Sequence, residues 1–332
     1  MYKFIVFNVR EEEVDLTLNW AKANNVEITF VDDQLTMDNI HMVKGFDGLS
    51  TSQNSPVPKE AYTLLKEYGI KQIAQRSAGF DYYDLEAASA SDIIISNVPS
   101  YSPESIAEFS VTSALNMIRK LRLIDQKTQA HDFRWQPSIR AGLLNEMTVG
   151  IIGTGHIGRV TAQLFAGFGA KVVAYDLYEN DDAKAYLEYK ESVEAVVEVA
   201  DVVSLHVPAT KDNHHQFDYE MFKQFKPSAY LVNAARGSVV DTKGLIKALD
   251  EGLIAGAALD TYEHESTFIP KDFSETTIED ELFLEVLNHE KILFTPHIAH
   301  YTDVSVRNIM QIALNSVLEV LETGDTVNRV NK

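Results

Sequence analysis

The sequence predicts an α/β protein made of two doubly wound domains, each a parallel sheet with helices on both faces. Short apolar runs alternate with amphipathic helical patterns along nearly the whole chain, which is typical of parallel strands joined by helices. The 332 residues are enough for two domains that each bury a core. A glycine-rich turn at 153–158, between a strand pattern and a helical pattern, indicates where the second sheet begins.

The amino-terminal part of the chain predicts a small α/β domain of its own. Its predicted strands are Lys3–Val9, Glu27–Val31, Gly48–Thr51, Gln72–Gln75 and Ile93–Ser96. Its predicted helices are Glu11–Asn24, Lys59–Tyr68 and Leu85–Ala90. Strands and helices alternate throughout this part, as the crossover connections of a parallel sheet require.

A long apolar helix is predicted over Ser102–Lys127, because a serine followed by a proline is a common start of a helix. Apolar residues such as Ile106, Phe109 and Ile118 recur along it at helical spacing. The helix is more apolar than a surface helix needs to be. It is interpreted either as a core helix or as a contact between subunits, and both interpretations stay open.

The strand pattern is clearest after residue 148. The predicted strands there are Thr148–Gly153, Lys171–Tyr175, Asp201–His206, Ala229–Asn233, Ala255–Leu259 and Lys291–Phe294. A parallel sheet of this size with intervening helices suits the Rossmann type of doubly wound fold. The acidic stretch Ser266–Asp280 is predicted to be a surface loop with a short helical turn, and Asp303–Leu321 to be the last helix.

The glycine-rich turn has the spacing of a dinucleotide-binding site. Gly153 permits a tight turn, Gly155 lets a pyrophosphate approach the backbone, and Gly158 lets the following helix pack closely against the strand. That helix presents free N–H groups to the phosphates. Asp176, at the end of the next strand, would accept hydrogen bonds from the adenosine ribose and repel a 2′-phosphate. These residues predict NAD rather than NADP as the cofactor.

The composition excludes several other classes of protein. A net charge of −20 argues against nucleic acid and anionic membranes as partners, and requires local positive charge to capture an anionic substrate. The absence of cysteine excludes disulfides, thiolate catalysis and cysteine-based zinc sites. No apolar run approaches the length of a membrane span and no signal-peptide pattern opens the sequence, so a cytoplasmic location is expected.

Reactive side chains follow the later predicted strands, at the edge where the cofactor would lie. Arg236, Asp260 and His297 each follow a strand, and Glu265 lies in the loop after Asp260. Hydride transfer between nicotinamide and a 2-oxo acid needs a guanidinium to hold the substrate carboxylate and an acid that titrates near neutrality. Arg236 and His297 suit these roles, and Glu265 would orient the imidazole and raise its pKa. Asp260 would bind the nicotinamide carboxamide or stiffen the site.

Each of these residues also has a plain structural interpretation. Arg236 could be a surface charge in a turn, His297 could cap the last helix, and Glu265 could be a solvated charge in an acidic loop. The functional interpretation is favoured because all three belong to one edge of one dinucleotide-binding sheet.

The same residues lie in segments that resemble the D-isomer-specific 2-hydroxyacid dehydrogenases, most closely their lactate-type members. The resemblance covers nearly the whole chain. Its segments are Asn97-Val98-Pro99-Ser100-Tyr101-Ser102-Pro103, Gly153–Gly158 with Asp176, His206-Val207-Pro208, Asn233–Gly237, Leu259-Asp260-Thr261-Tyr262-Glu263, and Pro296-His297 with Tyr301-Thr302.

The resemblance implies reversible reduction of a 2-oxo acid, pyruvate or a larger homologue, to the D-2-hydroxy acid by NADH. It makes Arg236 the substrate anchor, His297 the proton donor and Glu265 the partner of His297. Cofactor contacts are implied for Gly153, Gly155, His156, Ile157, Gly158, Asp176, Val207, Pro208, Asn213, Ala234, Ala235, Arg236 and Asp260. The D stereochemistry rests on the resemblance alone.

The resemblance also implies how the chain divides. Residues 1–100 would begin a smaller, flavodoxin-like substrate domain, residues 101–299 would form the NAD-binding Rossmann domain, and residues 300–332 would return to the substrate domain as a helix. The active site would lie in the cleft between these domains, whose closure would exclude water. Relatives are dimers, so a homodimer is expected.

Substrate contacts are implied for Ala78, Gly79, Tyr101 and Arg236. Segment 76–81 resembles the family loop whose backbone amides receive the substrate carboxylate, and Gly79 would allow close approach. An ordinary strand-to-helix turn stays open as the alternative, as does a plain core role for Tyr101.

Two further positions, Ser52 and His300, depart from the lactate-type pattern, in which bulky aromatic residues are usual. If both line the pocket for the substrate side chain, that pocket is roomier and more polar than one built for a methyl group. Activity on longer acids such as 2-oxoisocaproate or phenylpyruvate is then expected, which makes a D-2-hydroxyisocaproate-type enzyme the alternative.

Other functions are less well supported by the sequence. Metal catalysis is disfavoured, because His214 and His215 are adjacent, no HExxH pattern occurs, and His297 and His300 lie in a turn without an evident carboxylate cluster. A non-catalytic NAD-sensing protein is the alternative from a different class, and the intact catalytic trio argues against it. Formate dehydrogenases share the fold but carry glutamine where this chain has Glu265.

Overall fold

The computed structural model describes residues 1–332, which fold into two compact units. The first unit contains Met1–Ser102 and Tyr301–Lys332, and the second contains Pro103–His300. All neighbouring strands of both sheets are parallel, which confirms the predicted α/β class.

The sheet of the first unit has a flavodoxin-like strand order. Its strands are β1 (Tyr2–Phe7), β2 (Val26–Val31), β3 (Gly48–Thr51), β4 (Gln72–Gln75) and β5 (Ile94–Ser96). They lie in the order β2-β1-β3-β4-β5, so the connections leave β1 and β3 in opposite directions. In doubly wound sheets, ligands bind beyond the carboxyl ends of the strands at such a switch point.

Helices pack on both faces of this sheet. They are α1 (Glu11–Asn24), α2 (Lys59–Glu67), α3 (Leu85–Ala90) and, near the end of the chain, α11 (Asp303–Thr323). Successive side chains of β1 point to opposite faces, so Phe4 and Val6 pack with α1 and α11 while Ile5 and Phe7 pack with α2 and α3. All four side chains are fully buried, and each face therefore has its own core.

The sheet of the second unit has the Rossmann order with one additional strand. Its strands are β6 (Thr148–Ile152), β7 (Lys171–Tyr175), β8 (Glu188–Tyr189), β9 (Val202–Leu205), β10 (Tyr230–Asn233), β11 (Gly256–Leu259) and β12 (Ile292–Phe294). They lie in the order β12-β11-β10-β9-β6-β7-β8, with the switch point between β6 and β9. The two-residue strand β8 was not predicted, because two residues are too short to show a periodic pattern.

The helices of the second unit also cover both faces of its sheet. They are α4 (Pro103–Arg119), α5 (Leu121–Gln129), α6 (His156–Gly167), α7 (Val193–Val197), α8 (Tyr219–Phe222), α9 (Thr242–Asp250) and α10 (Glu281–Asn288). Helices α4 and α6 pack on one face, and α7 to α10 pack on the other. The predicted single helix over Ser102–Lys127 is wrong, because Lys120 adopts a left-handed backbone with φ of 55° and separates α4 from α5.

Every helix of the chain is too short or too polar to cross a bilayer.

The two glycines of α6 are expected to respond oppositely to substitution by alanine. A Cβ on Gly158 would lie 1.9 Å from the carbonyl oxygen of Gly153, whereas a Cβ on Gly167 would meet nothing within 4 Å. Gly158→Ala should therefore lower the free energy of unfolding by about 1–3 kcal/mol. Gly167→Ala should raise it by up to about 1 kcal/mol, because alanine restricts the unfolded chain and favours the helix.

Urea unfolding of both variants measures these changes, and Gly167→Ala controls for the extra methyl group in the same helix. A Gly158→Ala protein as stable as the Gly167→Ala protein would contradict the close packing at Gly158.

Candidate active site

The glycine-rich turn after β6 has the shape that a pyrophosphate group requires. Gly153 has a φ of 92°, and a Cβ there would lie 2.5 Å from the carbonyl oxygen of His206. Gly158 packs against the Gly153 carbonyl, which holds α6 close to β6. Gly155 has no atom within 4 Å of its Cβ position, so the backbone is open to a ligand at the start of α6. The turn therefore fits a dinucleotide, with helix N–H groups facing its phosphates.

Asp176 follows β7 and is already held by backbone amides. One carboxylate oxygen accepts a 2.9 Å hydrogen bond from the Tyr178 N–H, and the other accepts from the N–H and the hydroxyl of Thr154. The Thr154 hydroxyl in turn accepts a 2.9 Å hydrogen bond from Tyr189 of β8. A carboxylate has about four acceptor positions, so Asp176 keeps capacity for ribose hydroxyls. Sequence reasoning missed both residues, because Thr154 occupies a variable position of the glycine motif and Tyr189 lies outside every motif.

The loop after β9 is closed by Asn213. Its side-chain amide donates to the carbonyl of Pro208 at 2.7 Å, and its oxygen accepts from the N–H of Thr210 at 2.7 Å. Val207 is half-buried and Pro208 is exposed, so this loop leaves an apolar edge beside the glycine turn. Asn213 thus fixes the shape of this loop.

His206 begins the same loop as a neutral imidazole. Burial lowers its pKa to about 3, and its Nε2 lies 2.9 Å from the hydroxyl of Ser204. Because it carries no charge at neutral pH, His206 does not add to the positive charge available to a substrate.

Arg236 is exposed at the end of a turn that Asn233 shapes. The Asn233 side chain donates to the Arg236 carbonyl at 3.0 Å and accepts from the Ala235 N–H at 3.0 Å. The guanidinium makes one hydrogen bond, from Nη1 to the Ala235 carbonyl at 2.8 Å. Its remaining N–H groups are available to an anion. Ala234 and Ala235 are half-buried beside it, at the edge that follows β10.

His297 and Glu265 form a close pair. The His297 Nδ1 lies 2.7 Å from Oε1 of Glu265, and the other carboxylate oxygen accepts a 3.0 Å hydrogen bond from the Tyr262 N–H. The His297 side chain is 34% exposed, so its second ring nitrogen, Nε2, can reach a ligand. The protein thus orients the imidazole through Nδ1, while Nε2 remains accessible to a ligand.

The pKa of His297 is raised above its ordinary value. Burial acts to lower it, but the hydrogen bond and the charge of Glu265, with the charge of Asp260, outweigh burial. The positive charge of Arg236 opposes them, which places that guanidinium within electrostatic reach of the imidazole. The pair therefore favours the protonated form of the His297 imidazole.

Asp260 is buried behind His297 and holds the loop that carries it. One carboxylate oxygen accepts from the Thr295 hydroxyl at 2.6 Å and the Ile298 N–H at 3.0 Å, and the other accepts from the Ala299 N–H at 2.9 Å. Of the two roles that the sequence predicts for Asp260, this geometry supports the stiffening of the site. Burial raises the pKa of Asp260, and these hydrogen bonds oppose that rise.

The turn of Arg236 and the loop of Glu265 touch through Gly237. A Cβ on Gly237 would lie 2.2 Å from the carbonyl carbon of Tyr262 and 2.4 Å from the Glu263 nitrogen. Only glycine permits this approach, which holds the backbones of the two loops close together. Sequence reasoning included Gly237 in a motif but did not predict this contact.

The other candidate substrate residues divide between the two units. His300 belongs to the second unit, and its ring centroid lies 6.0 Å from that of His297. Ser52, Ala78, Gly79 and Tyr101 belong to the first unit, where the structure shows all four half-buried beyond the strands. No group of three or more His, Cys, Asp or Glu side chains is arranged to hold a metal ion.

Comparison with known proteins agrees with this site. The family model of the D-isomer specific 2-hydroxyacid dehydrogenase NAD-binding domain matches residues 111–299. The D-lactate dehydrogenase of Streptococcus agalactiae serotype III (strain NEM316) is 54% identical over 329 residues, which cover 99% of this chain and 100% of that protein. The chain belongs to the D-isomer specific 2-hydroxyacid dehydrogenase family. This 2-hydroxyacid dehydrogenase is an NAD-dependent oxidoreductase.

Solved structures support the same family. The NAD-complexed D-isomer specific 2-hydroxyacid dehydrogenase of Lactobacillus delbrueckii ssp. bulgaricus is 37% identical with a TM-score of 0.89, over 99% of this chain and 100% of that one. A D-2-hydroxyisocaproate dehydrogenase is 34% identical with a TM-score of 0.94, over 99% of this chain and 100% of that one. The predictions of family and cofactor from the sequence are therefore confirmed.

Replacing Glu265 by glutamine is expected to lower the pKa of His297 in this 2-hydroxyacid dehydrogenase, because the charge and the hydrogen bond that raise it are lost. NMR titration of the His297 ring protons measures the shift. Because the native pKa is raised, the pair stabilises the fold below the unfolded pKa and loses this effect as pH rises through the folded pKa. The stability difference between the two proteins should therefore shrink at alkaline pH.

Glu263→Gln is the matched control for that titration. Glu263 lies in the same loop, but its carboxylate contacts His215 at 2.9 Å. A His297 pKa that falls equally in both variants would contradict a specific role for Glu265.

Proposed function

We propose that this protein reduces a 2-oxo acid to the D-2-hydroxy acid with NADH, with pyruvate and larger homologues as substrates. The observation that carries the proposal is the imidazole of His297, held 2.7 Å from Glu265 and within the electrostatic influence of Arg236. The reduction of a 2-oxo acid requires a cationic acid and a group that binds the substrate carboxylate. Both would lie at the carboxyl edge of a dinucleotide-binding sheet.

Substrate capture would depend on local positive charge. The chain carries a net charge of −20, which repels a small carboxylate at long range. The guanidinium of Arg236 would pair with the substrate carboxylate through two parallel hydrogen bonds, for which its N–H groups are available. We propose that the backbone amides of Ala78 and Gly79 in the first unit also receive that carboxylate.

The proton would come from His297. Its Nδ1 is held by Glu265, so Nε2 would donate to the substrate carbonyl oxygen as the carbonyl carbon gains a hydride. NAD supplies that hydride when bound in its reduced form. The products would be the 2-hydroxy acid, NAD⁺ and a neutral imidazole on His297. The negative charge of Glu265 then favours the uptake of another proton by that imidazole.

The cofactor-binding residues we propose agree with the shape of the site. They lie in the glycine turn, at the end of β7 and in the loops after β9, β10 and β11. They are Gly153, Gly155, His156, Ile157, Gly158, Asp176, Val207, Pro208, Asn213, Ala234, Ala235, Arg236 and Asp260. The negative charge of Asp176 would disfavour the 2′-phosphate of NADP.

Three side chains are proposed to set the substrate range. Ser52 and His300 would line the pocket for the substrate side chain, and Tyr101 would place its ring close to the substrate. A serine and a histidine leave more space and polarity than two bulky aromatic residues. D-lactate is the product we propose for the smallest substrate, and D-2-hydroxyisocaproate is the alternative that a larger pocket favours.

The function is tested by mixing the protein with NADH and pyruvate, 2-oxoisocaproate or phenylpyruvate, and analysing the chirality of the product. We expect NADH oxidation with all three acids. Arg236→Lys should raise KM about 10- to 100-fold, because an ammonium cannot form the paired contact. His297→Ala should lower kcat about 10²- to 10⁴-fold while the NADH affinity stays unchanged.

Arg307→Lys is the control for the first substitution, since Arg307 is exposed on α11. No NADH oxidation with any 2-oxo acid, despite NADH binding, would overturn the proposal in favour of a non-catalytic NAD-binding protein. A steep fall in kcat/KM from pyruvate to the longer acids would exclude the enlarged pocket.

We also propose that the protein is a cytoplasmic homodimer. Segment 130–143 carries exposed apolar side chains, with Trp135 97%, Phe133 71% and Leu143 58% exposed. Helix α5 before it has no buried residue and adds Leu121, which is half-exposed. An exposed apolar surface of this kind is typical of a contact between protein chains, which supports a second copy of this chain as its partner.

Replacing Trp135 and Phe133 together by serine is expected to shift the protein from dimer to monomer, because the exposed apolar area would be lost. Sedimentation equilibrium measures the change. Val327→Ser is the control, since Val327 is 93% exposed on the first unit. A protein that is monomeric before substitution would contradict the proposed dimer.

A further inference from the structure

The loop that follows β4 turns its carbonyl groups into the protein. The carbonyl of Ser77 accepts from the Val98 N–H at 2.9 Å, and that of Gly79 accepts from the Ser77 hydroxyl at 2.7 Å. The carbonyl of Ala78 accepts from the Asn97 side chain at 2.7 Å. The N–H groups of Ala78 and Gly79 have no hydrogen-bond partner in the protein. Three consecutive tethered carbonyls thus leave donors available to an anion.

The Ser77 hydroxyl can donate to Gly79 because another side chain donates to it. Nε2 of Gln75 lies 2.8 Å from the Ser77 oxygen, which occupies the acceptor side of the hydroxyl and leaves its proton for the Gly79 carbonyl. The Gln75 side chain is almost completely buried. Its direction is set because its Oε1 accepts a 2.6 Å hydrogen bond from the Tyr83 hydroxyl.

The hydrogen bonds from Tyr83 to Gly79 therefore all run in one direction. Burial raises the pKa of Tyr83 well above its ordinary value, so the phenol keeps its proton at any pH at which the protein works. Tyr83 donates to Gln75, Gln75 donates to Ser77, and Ser77 donates to Gly79. Reversal of any link would leave a buried donor or acceptor without a partner, which is costly.

Gln75 also holds the chain beyond β3. Its Oε1 accepts from the Gln53 N–H at 3.0 Å and its Nε2 donates to the Gln53 carbonyl at 3.0 Å, as a neighbouring strand would. The proposed pocket residue Ser52 precedes Gln53 directly. One buried carboxamide thus joins the segment of Ser52 to the loop of Gly79.

We propose that Gln75 and Ser77 are positioning residues, which hold the amides of Ala78 and Gly79 in the orientation that receives the carboxylate of the 2-oxo acid. This inference rests on the proposed function. The carboxylate is common to all 2-oxo acids, so loss of the Ser77 hydroxyl should weaken the binding of every such acid by the same factor. The side-chain pocket would instead affect each acid differently.

Ser77→Ala tests the inference with pyruvate and 2-oxoisocaproate as probes. We expect KM to rise about fivefold for both acids, the factor that one lost hydrogen bond gives, with kcat and the NADH dissociation constant nearly unchanged. Ser77→Thr keeps the hydroxyl and should restore KM. Tyr83→Phe removes the first donor and should raise KM in the same direction by a smaller factor.

Ser89→Ala is the matched control. The Ser89 hydroxyl also accepts from a side-chain amide, that of Asn331 at 3.0 Å, and donates to a backbone carbonyl, that of Leu85 at 2.8 Å. It lies in α3, and its loss should change stability without changing KM. Equal KM values in the Ser77→Ala and Ser89→Ala proteins would overturn the inference.

The outcomes separate this inference from the proposed function. If the unsubstituted protein oxidises no NADH with either acid, the proposed function fails. If it reduces both acids but Ser77→Ala raises KM for only one of them, the function stands and the positioning role is wrong. A Ser77→Ala protein that lowers kcat alone, or that weakens NADH binding, would likewise overturn the role.

Discussion

The buried carboxylate of Asp260 holds the loop that carries His297 in place. Its two oxygens accept hydrogen bonds from Thr295, Ile298 and Ala299, and the carbonyl of Asp260 accepts from the His297 N–H at 2.7 Å. His297 has a left-handed backbone with φ of 55°, which is unfavourable by about 1 kcal/mol for a residue other than glycine. The hydrogen bonds on both sides of it oppose that strain. The direction of the imidazole, and with it the pairing with Glu265, therefore depends on the hydrogen bonds that this buried carboxylate accepts.

The candidate site also depends on one positive charge, that of Arg236, which has no acidic side chain paired with it. Arg236 is exposed and has no acidic partner, although the chain as a whole is strongly acidic. Glu265 neutralises the imidazolium but leaves the guanidinium free. A negative ligand thus meets one uncompensated positive charge, and a desolvated environment would strengthen this attraction. The long-range field of the protein opposes the same ligand, so affinity must come from contact.

The parts of the site that could be predicted from the sequence are those in which one residue type serves one backbone requirement. Gly153 and Gly158 were predictable because any Cβ there would clash with a nearby carbonyl group. Arg236 and His297 were predictable because they lie shortly after the ends of β10 and β12, whose apolar runs are easy to recognise. The break of α4 at Lys120 was not predictable, since lysine has no preference for a left-handed backbone.

Side-chain networks were the other part that the sequence could not predict. Asn233 and Gln75 act through hydrogen bonds whose partners depend on the packing of separate loops. Neither spacing nor hydrophobic periodicity contains that information, and β8 is too short to have shown that Tyr189 reaches Thr154. The family and the cofactor were therefore recognisable from short motifs, whereas the contacts that hold the motif residues required coordinates.

The way Asp176 is held has a consequence for any attempt to change the preferred dinucleotide. Its carboxylate anchors the Thr154 and Tyr178 amides, so a neutral or basic replacement would release the tip of the glycine turn as well as remove the negative charge. A variant that accepts a phosphorylated ribose would then bind the pyrophosphate more weakly. Exchange of cofactor in this scaffold is accordingly a problem of rebuilding a loop, and a single altered charge does not solve it.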